Sequence, residues 1–197
     1  ADTERSKSQT DLNKKRMEEV QGRIDKLKRE ADKEAKKKGS TGSGSKTIKG
    51  YLDQVRQQRK TVTDSLKIQD DVIDQHRAEY LKLKTIRDNA ARRQKNRTSG
   101  KRPAGRKERE ELERKFQAAD EELNKFNAKT GYIKATEKKR NLLNILNKYD
   151  DASRTVRESK KVTKESWGRL GELTRETSES LKERESKADE VAKSMGG

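Results

Sequence analysis

Hydrophobic residues recur at alternating steps of three and four along most of the chain, between positions that are almost all polar or charged. This spacing places apolar side chains on one narrow face, or seam, of an α-helix, as in coiled coils. In a first segment, predicted to be helical from about residue 10 to residue 38, the seam is Met17, Val20, Ile24, Leu27 and Ala31. The pattern therefore predicts helices that pack through thin apolar seams.

The second segment repeats with a period of seven residues over six heptads, which is the strongest structural signal in the sequence. One seam position takes Leu52, Arg59, Leu66, Ile73, Tyr80 and Arg87, and the other takes Ile48, Val55, Val62, Gln69, His76, Leu83 and Ala90. A third segment keeps the alternation at Leu112, Phe116, Ala119, Leu123, Phe126 and Ile133, and a looser one continues through Leu142, Tyr149, Val156, Trp167, Leu170 and Leu181. We expect all of these segments to be helical.

Two clusters of glycine with serine or proline divide these segments, and short loops let neighbouring helices fold back on each other. We predict a first helical hairpin over 1–98 with its loop at 39–46, then a basic Gly/Pro turn at 99–106. A helical arm over 107–197 follows, which returns partly against 74–98 and has a candidate break near Gly131.

The predicted hairpins bring apolar residues together in register. In the first hairpin Ile24 lies near Val62, Val20 near Leu66 and Leu12 near Ile73. In the second, Leu83 lies near Leu123, Tyr80 near Phe126 and Ala90 near Phe116. Gly168 and Gly171 are further points where the helix can bend or stop, since glycine costs about 1 kcal/mol relative to alanine in a helix.

Composition narrows the fold class. Only 26% of the 197 residues are hydrophobic and 44% are charged, so little apolar surface is available to offset the ordering of the chain. We predict an all-α protein of elongated antiparallel helical hairpins or coiled coil, not a compact globule. The alternative is a chain whose helices form only when a partner binds.

Catalytic and cofactor chemistry has no support in the sequence. There is no cysteine and a single histidine, His76, which falls on a seam. The stretch GSTGSGSKT at 39–47 has serine where a phosphate-binding loop needs glycine, so it is interpreted as a linker. Asp70, Asp71 and Asp74 are interpreted as a solvated acidic face. We therefore expect a protein that is not an enzyme and has no metal or cofactor.

No segment is long and apolar enough for a membrane span, and the first residues do not resemble a signal peptide. We expect a cytoplasmic protein. A nuclear location is the alternative, because Arg92 and Arg93 followed by KRPAGRK are similar to a bipartite nuclear localisation signal.

The formal net charge of +17 is concentrated in the middle of the chain. Residues 87–109 carry ten basic side chains and two acids, and seven of the ten are arginines, whose planar fork can hold phosphate oxygens in pairs. Such contacts supply affinity rather than base specificity. The predicted nucleic-acid-binding residues are Arg92, Arg93, Lys95, Arg97, Lys101, Arg102, Arg106, Lys107 and Arg109, with a second patch at Lys134, Lys138, Lys139 and Arg140. Tyr132, just before that patch, is interpreted either as a stacking residue or as a seam residue.

The stretch KRPAGRKEREELERKFQAADEELNKFNAKTGYIKA, residues 101–135, resembles the opening coiled coil of the fungal brefeldin-A-resistance nuclear-segregation family. That family begins with KRP before an alanine- and glutamate-rich helix that ends in an NAxxxxIKA-like sequence. Its members are elongated coiled coils associated with ribosomes and messenger ribonucleoproteins. The resemblance implies a similar partner here.

These observations predict a non-enzymatic RNA-binding protein, associated with the ribosome or another large ribonucleoprotein. Two alternatives remain open at this point: a structural coiled coil that binds an acidic polymer such as a microtubule or assembles with itself, and a chromatin protein that binds duplex DNA. Neither the oligomeric state nor the identity of the RNA follows from the sequence.

Overall fold

The chain is all-α, as predicted. A computed structural model describes residues 2–36, 41–100 and 102–195, and of 2–7, 9–10, 31, 34–36 and 182–195 it describes the backbone alone. Within these ranges there are five helices and no strand. They are α1 Asp2–Lys36, α2 Ser45–Ser99, α3 Arg106–Thr130, α4 Tyr132–Ser159 and α5 Lys164–Met195. The seam residue Ala31 lies among the residues whose side chains are not described.

The helices end where the local sequence provides a stop. Gly131 adopts a left-handed conformation with φ of 66° and donates its N–H to the carbonyl of Asn127, which ends α3. At the start of α5, the Thr163 hydroxyl accepts the Ser166 N–H and the Ser166 hydroxyl accepts the Thr163 N–H. This second break, at 160–163, was not predicted from the sequence. Gly168 and Gly171 do not interrupt α5.

The described chain divides into two compact units, and the first comprises residues 1–68 and 138–197. Hydrophobic side chains of α2, α4 and α5 form its main core, which Val162 of the α4–α5 connection completes. The core residues are Tyr51, Val55, Val62, Leu66, Leu142, Ile145, Tyr149, Ala152, Val156, Val162, Leu170 and Leu173. The thin apolar seams predicted from the sequence thus pack against one another here and form one core shared by α2, α4 and α5. The prediction that the C-terminal arm packs partly against 74–98 did not anticipate this contribution from α4 and α5.

A buried polar cluster lies within the same unit. The Gln58 side-chain oxygen accepts hydrogen bonds from the hydroxyl of Tyr149 at 3.0 Å and that of Thr174 at 2.6 Å. The Tyr149 oxygen also lies 3.3 Å from the hydroxyl of Thr177. Gln58 and the two threonines are at most 3% exposed. Because buried polar groups need partners, this cluster fixes how α2, α4 and α5 meet.

Helix α1 belongs to the same unit and packs beside α5 and α2. Val20 and Ile24 form a second cluster with Ile68 of α2 and Leu181 of α5. An ion pair of 2.7 Å between Arg23 and Asp64 places α1 against α2 close to the predicted register. The predicted partners Val62 and Leu66, however, belong to the main core and not to the cluster of Val20 and Ile24. The predicted pairing of Leu12 does not form a buried contact, since Leu12 is 43% exposed.

The second unit comprises residues 69–137 and contains the C-terminal half of α2, all of α3 and the first residues of α4. Its apolar cluster includes both Tyr80 and Phe126, which the sequence placed opposite each other. Polar contacts continue the antiparallel pairing towards the turn, in the predicted register. They join Arg87 to Asp120, Gln94 to Glu113 and Arg97 to Glu108.

Candidate nucleic-acid interface

We define the basic turn as residues 92–109. It comprises the last residues of α2, the connection between α2 and α3, and the first residues of α3. Helix α2 ends at Ser99, and its last carbonyl groups are partly satisfied by hydroxyls, since both Thr98 and Ser99 donate to the carbonyl of Lys95. The Ala104 N–H donates to the carbonyl of Arg97 at 2.9 Å, and Ala104 is 5% exposed. The connection is therefore folded back onto the end of α2.

All the predicted phosphate-binding residues of this turn that the structure describes are exposed. Lys101 lies outside the described residues. The exposed residues are Arg92, Arg93, Lys95, Arg97, Arg102, Arg106, Lys107 and Arg109. The structure therefore places on the surface every described residue that the sequence assigned to this site.

Two of these arginines are already paired with carboxylates. Arg97 forms a two-pronged ion pair with Glu108 across the hairpin, with nitrogen–oxygen distances of 2.7 and 2.9 Å. Arg106 pairs with Glu110 one helical turn later at 2.9 Å. The guanidinium of Arg97 is half exposed, so a ligand could still reach it, but only in competition with Glu108. The ion pair of Arg106 with Glu110 can be predicted from the sequence, because residues four apart are neighbours on a helix. The ion pair of Arg97 with Glu108 forms only because α3 folds back against α2.

The other basic side chains of the turn that the structure describes have no carboxylate partner among the described residues. Arg92 donates to the neutral side-chain oxygen of Asn89 at 3.0 Å. The side chains of Arg93, Lys95, Arg102, Lys107 and Arg109 make no hydrogen bond or ion pair within that part of the chain. Six exposed basic side chains therefore lie near the end of this hairpin, and no described carboxylate neutralises their charge. This arrangement can bind a chain of phosphates or another polyanion.

The second predicted patch lies on α4, where one of its four residues is buried. Lys134 and Arg140 are exposed and Lys139 is half-buried. Lys138 is only 7% exposed, so its side chain is not offered to a ligand on the surface. Lys138 is removed from the candidate interface for this reason. The helical period explains the difference, since Lys138 lies three residues after the buried Ala135 and four before the buried Leu142.

Tyr132 is a packing residue in the structure. It is 8% exposed and its ring stacks on Tyr80, with 4.3 Å between the ring centroids and 26° between the planes. Its ring is therefore occupied by another part of the protein and cannot hold a base. The seam interpretation of Tyr132 replaces the stacking interpretation.

His76 is also part of the packing between helices. Its ring meets Phe126 edge to face at 5.9 Å. Burial lowers the pKa of His76 from its ordinary value, and the charge of Lys129 lowers it further. Among the residues that the structure describes, no three acidic or histidine side chains are grouped as a metal site would require.

Within the described part of the chain, no helix is long and apolar enough to cross a membrane. Comparison with known proteins found no similarity that assigns the chain to a family: no family model, no curated protein and no solved structure matches it.

Proposed function

We propose that this protein is a non-enzymatic RNA-binding protein that contacts phosphates through the basic turn. The observation that carries the proposal is the group of six exposed cations without a carboxylate partner, four of which are arginines. Such a concentration has no role in packing the hairpin, because the contacts between α2 and α3 use other side chains. The positive charge is available to an external polyanion.

The proposed partner is the RNA of the ribosome or of another large ribonucleoprotein. Its support is the similarity of residues 101–135 to a ribosome-associated family of coiled coils, together with the charge of the turn. Lys134, Lys139 and Arg140 are secondary candidates for phosphate contacts. A protein with this mode of binding holds RNA by backbone and shape and contributes little base specificity.

The expected affinity is strongly dependent on salt. On duplex nucleic acid, each neutralised phosphate contributes about 0.9 to the negative slope of log K against log salt concentration. If five or six phosphates are contacted, the slope is about −5. A slope near zero would mean that the charge of the turn is not used in binding.

The test is a matched pair of triple variants. The first replaces Arg93, Arg102 and Arg109 of the basic turn with glutamine. The control replaces the exposed Arg77, Lys82 and Lys84, which lie further down α2 in the same unit, with glutamine. Both variants lose three positive charges from the same unit; the turn variant removes three arginines and the control removes one arginine and two lysines.

RNA binding is measured by fluorescence anisotropy between about 0.05 and 0.3 M salt, with a labelled ribosomal RNA fragment. We expect the turn variant to bind about 100-fold more weakly at about 0.15 M salt and its slope to shrink by about 2 to 3. The control should lose much less of both. Equal losses in the two variants would show that net charge alone determines binding and would reject the turn as the contact.

The ribonucleoprotein partner is tested separately on a sucrose gradient of a cell extract that contains the tagged protein. We expect the protein to sediment with large particles and to move to light fractions after ribonuclease treatment. Sedimentation that survives ribonuclease would instead favour an acidic protein polymer as the partner.

A further inference from the structure

The aromatic side chains are all taken up by packing. The chain has four tyrosines, two phenylalanines and one tryptophan, and the structure describes all seven. None is exposed: they are buried or half-buried at Tyr51, Tyr80, Phe116, Phe126, Tyr132, Tyr149 and Trp167. The basic turn itself contains no aromatic residue.

This distribution matters because single-stranded nucleic acid is held largely by stacking. Proteins that bind single strands combine a basic groove with aromatic platforms, and each stacked base contributes about 1 to 3 kcal/mol. Arginine planes can stack on bases, but here they have no aromatic residue beside them to complete a platform. The turn therefore offers phosphate contacts and lacks the usual means of holding unpaired bases.

The cations lie on more than one side of the hairpin end instead of forming one row. Arg92, Arg93 and Lys95 lie on the last turns of α2, where successive residues are about 100° apart around the axis. Arg93 and Lys95 therefore point about 160° apart, and Arg92 lies about 100° from Arg93 and about 60° from Lys95. Lys107 and Arg109, two residues apart on the first turn of α3, likewise point about 160° apart. A ligand that contacts most of these residues has to present phosphates on more than one side of the turn.

The hairpin end is also broad, and side-chain contacts join its two helices. The ion pair of Arg97 with Glu108 and the hydrogen bond of Gln94 with Glu113 join α2 to α3 close to the turn. Two packed helices with axes about 8 to 10 Å apart are roughly 20 Å across. That is wider than the major groove of B-form DNA, which is about 12 Å. The minor groove of A-form RNA is wide and shallow, and its two borders are phosphate backbones.

We infer that the basic turn selects base-paired RNA over single-stranded RNA, by contacting the phosphates of both strands that border the minor groove. This inference rests on the proposed function and names the form of RNA that the site takes. It follows from the cations on opposite sides of the turn and from the absence of an exposed aromatic side chain among the described residues. The breadth of the hairpin further disfavours duplex DNA.

The experiment compares three labelled probes of one sequence: a 30-base-pair RNA duplex, one of its strands chosen to lack internal pairing, and the DNA duplex. The full-length protein is titrated with each at about 0.15 M salt. An oligolysine peptide serves as a control for the higher charge density of a duplex, which favours duplex binding by any polycation. We expect the protein to prefer the RNA duplex over the single strand at least 10-fold more than the peptide does, and to bind the DNA duplex more weakly than the RNA duplex.

A variant tests the reason for the preference. Asn96 is exposed on the last turns of α2, so Asn96→Tyr adds an aromatic ring beside the cations. We expect Asn96→Tyr to bind the single strand at least about 5-fold more tightly than the original protein does. Its binding of the duplex should be almost unchanged. Asn96→Gln is the matched polar control and should change neither.

The outcomes separate the two proposals. A preference no greater than that of the peptide overturns the inference and leaves the proposed RNA binding in place. Equal binding of the DNA and RNA duplexes overturns the selection of RNA. Failure to bind any of the three probes overturns the proposed function, and the inference with it.

Discussion

The buried phenol of Tyr149 makes the stability of the first unit sensitive to alkaline pH. Tyr149 is 1% exposed, and burial raises the pKa of its hydroxyl from 10.0 to about 12, although hydrogen bonds with Thr177 and Thr174 oppose the rise. In the unfolded chain the same group ionises near 10. Between these two values the unfolded state has lost the proton that the folded state keeps. The free energy of unfolding therefore falls as the pH rises from 10 towards 12.

The size of this effect follows from the two pKa values. Each unit of separation corresponds to about 1.36 kcal/mol, so the full loss approaches 2 to 3 kcal/mol and about 1.4 kcal/mol is lost by pH 11. Tyr149→Phe removes the titrating group and also the hydrogen bond to Gln58. At pH 8 the variant should be less stable by about 1 kcal/mol, because Gln58 loses one of its two donors.

The prediction is that the two stability curves converge as the pH rises and meet near pH 11. Urea unfolding at 25 °C is followed by the fluorescence of Trp167, which lies against Tyr51 in the same unit and therefore reports on that core. All other ionisable groups are the same in both proteins, so their contribution cancels in the difference.

Val156→Ala, in the same core and without a titrating group, is the control. It should stay less stable than the original protein by a constant amount at every pH. If the gap for Tyr149→Phe is equally constant between pH 8 and pH 11.5, then the reasoning from burial is wrong.

Two further predictions compare neighbouring or chemically matched positions. Leu142 is fully buried and Leu143 is 44% exposed. In urea unfolding, Leu142→Ala should therefore destabilise the protein by about 2 to 5 kcal/mol and Leu143→Ala by less than about 0.5 kcal/mol. Similar losses of stability in the two variants would contradict the assignment of the core face of α4. Gly131 has a positive φ, so Gly131→Ala should lower the unfolding free energy by about 1 kcal/mol. Gly168 is helical and exposed, with nothing near the position of an added methyl group. Gly168→Ala should therefore raise the unfolding free energy by about 0.5 to 1 kcal/mol. A more stable Gly131→Ala or a less stable Gly168→Ala in urea unfolding would contradict the backbone conformation assigned to that glycine.

Much of the local structure could be predicted from the sequence, because it depends on neighbours along the chain. The steps of three and four indicated helices, and the glycines and the proline indicated where α2 begins and ends. The register of the α2–α3 hairpin followed from matching Tyr80 with Phe126. The break at 160–163 was missed because its signal is a pair of hydroxyl caps at Thr163 and Ser166 without a glycine or proline.

The candidate site was predictable in position but not in composition. The excess of basic residues at 92–109 is a property of the sequence alone. Which of them remain without a carboxylate depends on the fold, since Glu108 reaches Arg97 only when α3 folds back on α2. Lys138 seemed equivalent to Lys134 in the sequence, yet Lys138 is buried and Lys134 is exposed.

The sequence by itself determined that the chain forms helices, where most of them end and where the positive charge is concentrated, since propensity, periodicity and charge act over a few residues. Only the tertiary structure decided that α2, α4 and α5 share one core and that Gln58 and Tyr149 form a buried hydrogen bond within it. Such contacts join residues about 90 positions apart. A seam in the sequence shows which face of a helix is apolar, but many helices present such a face, and the choice of partner depends on the fit of side chains in three dimensions.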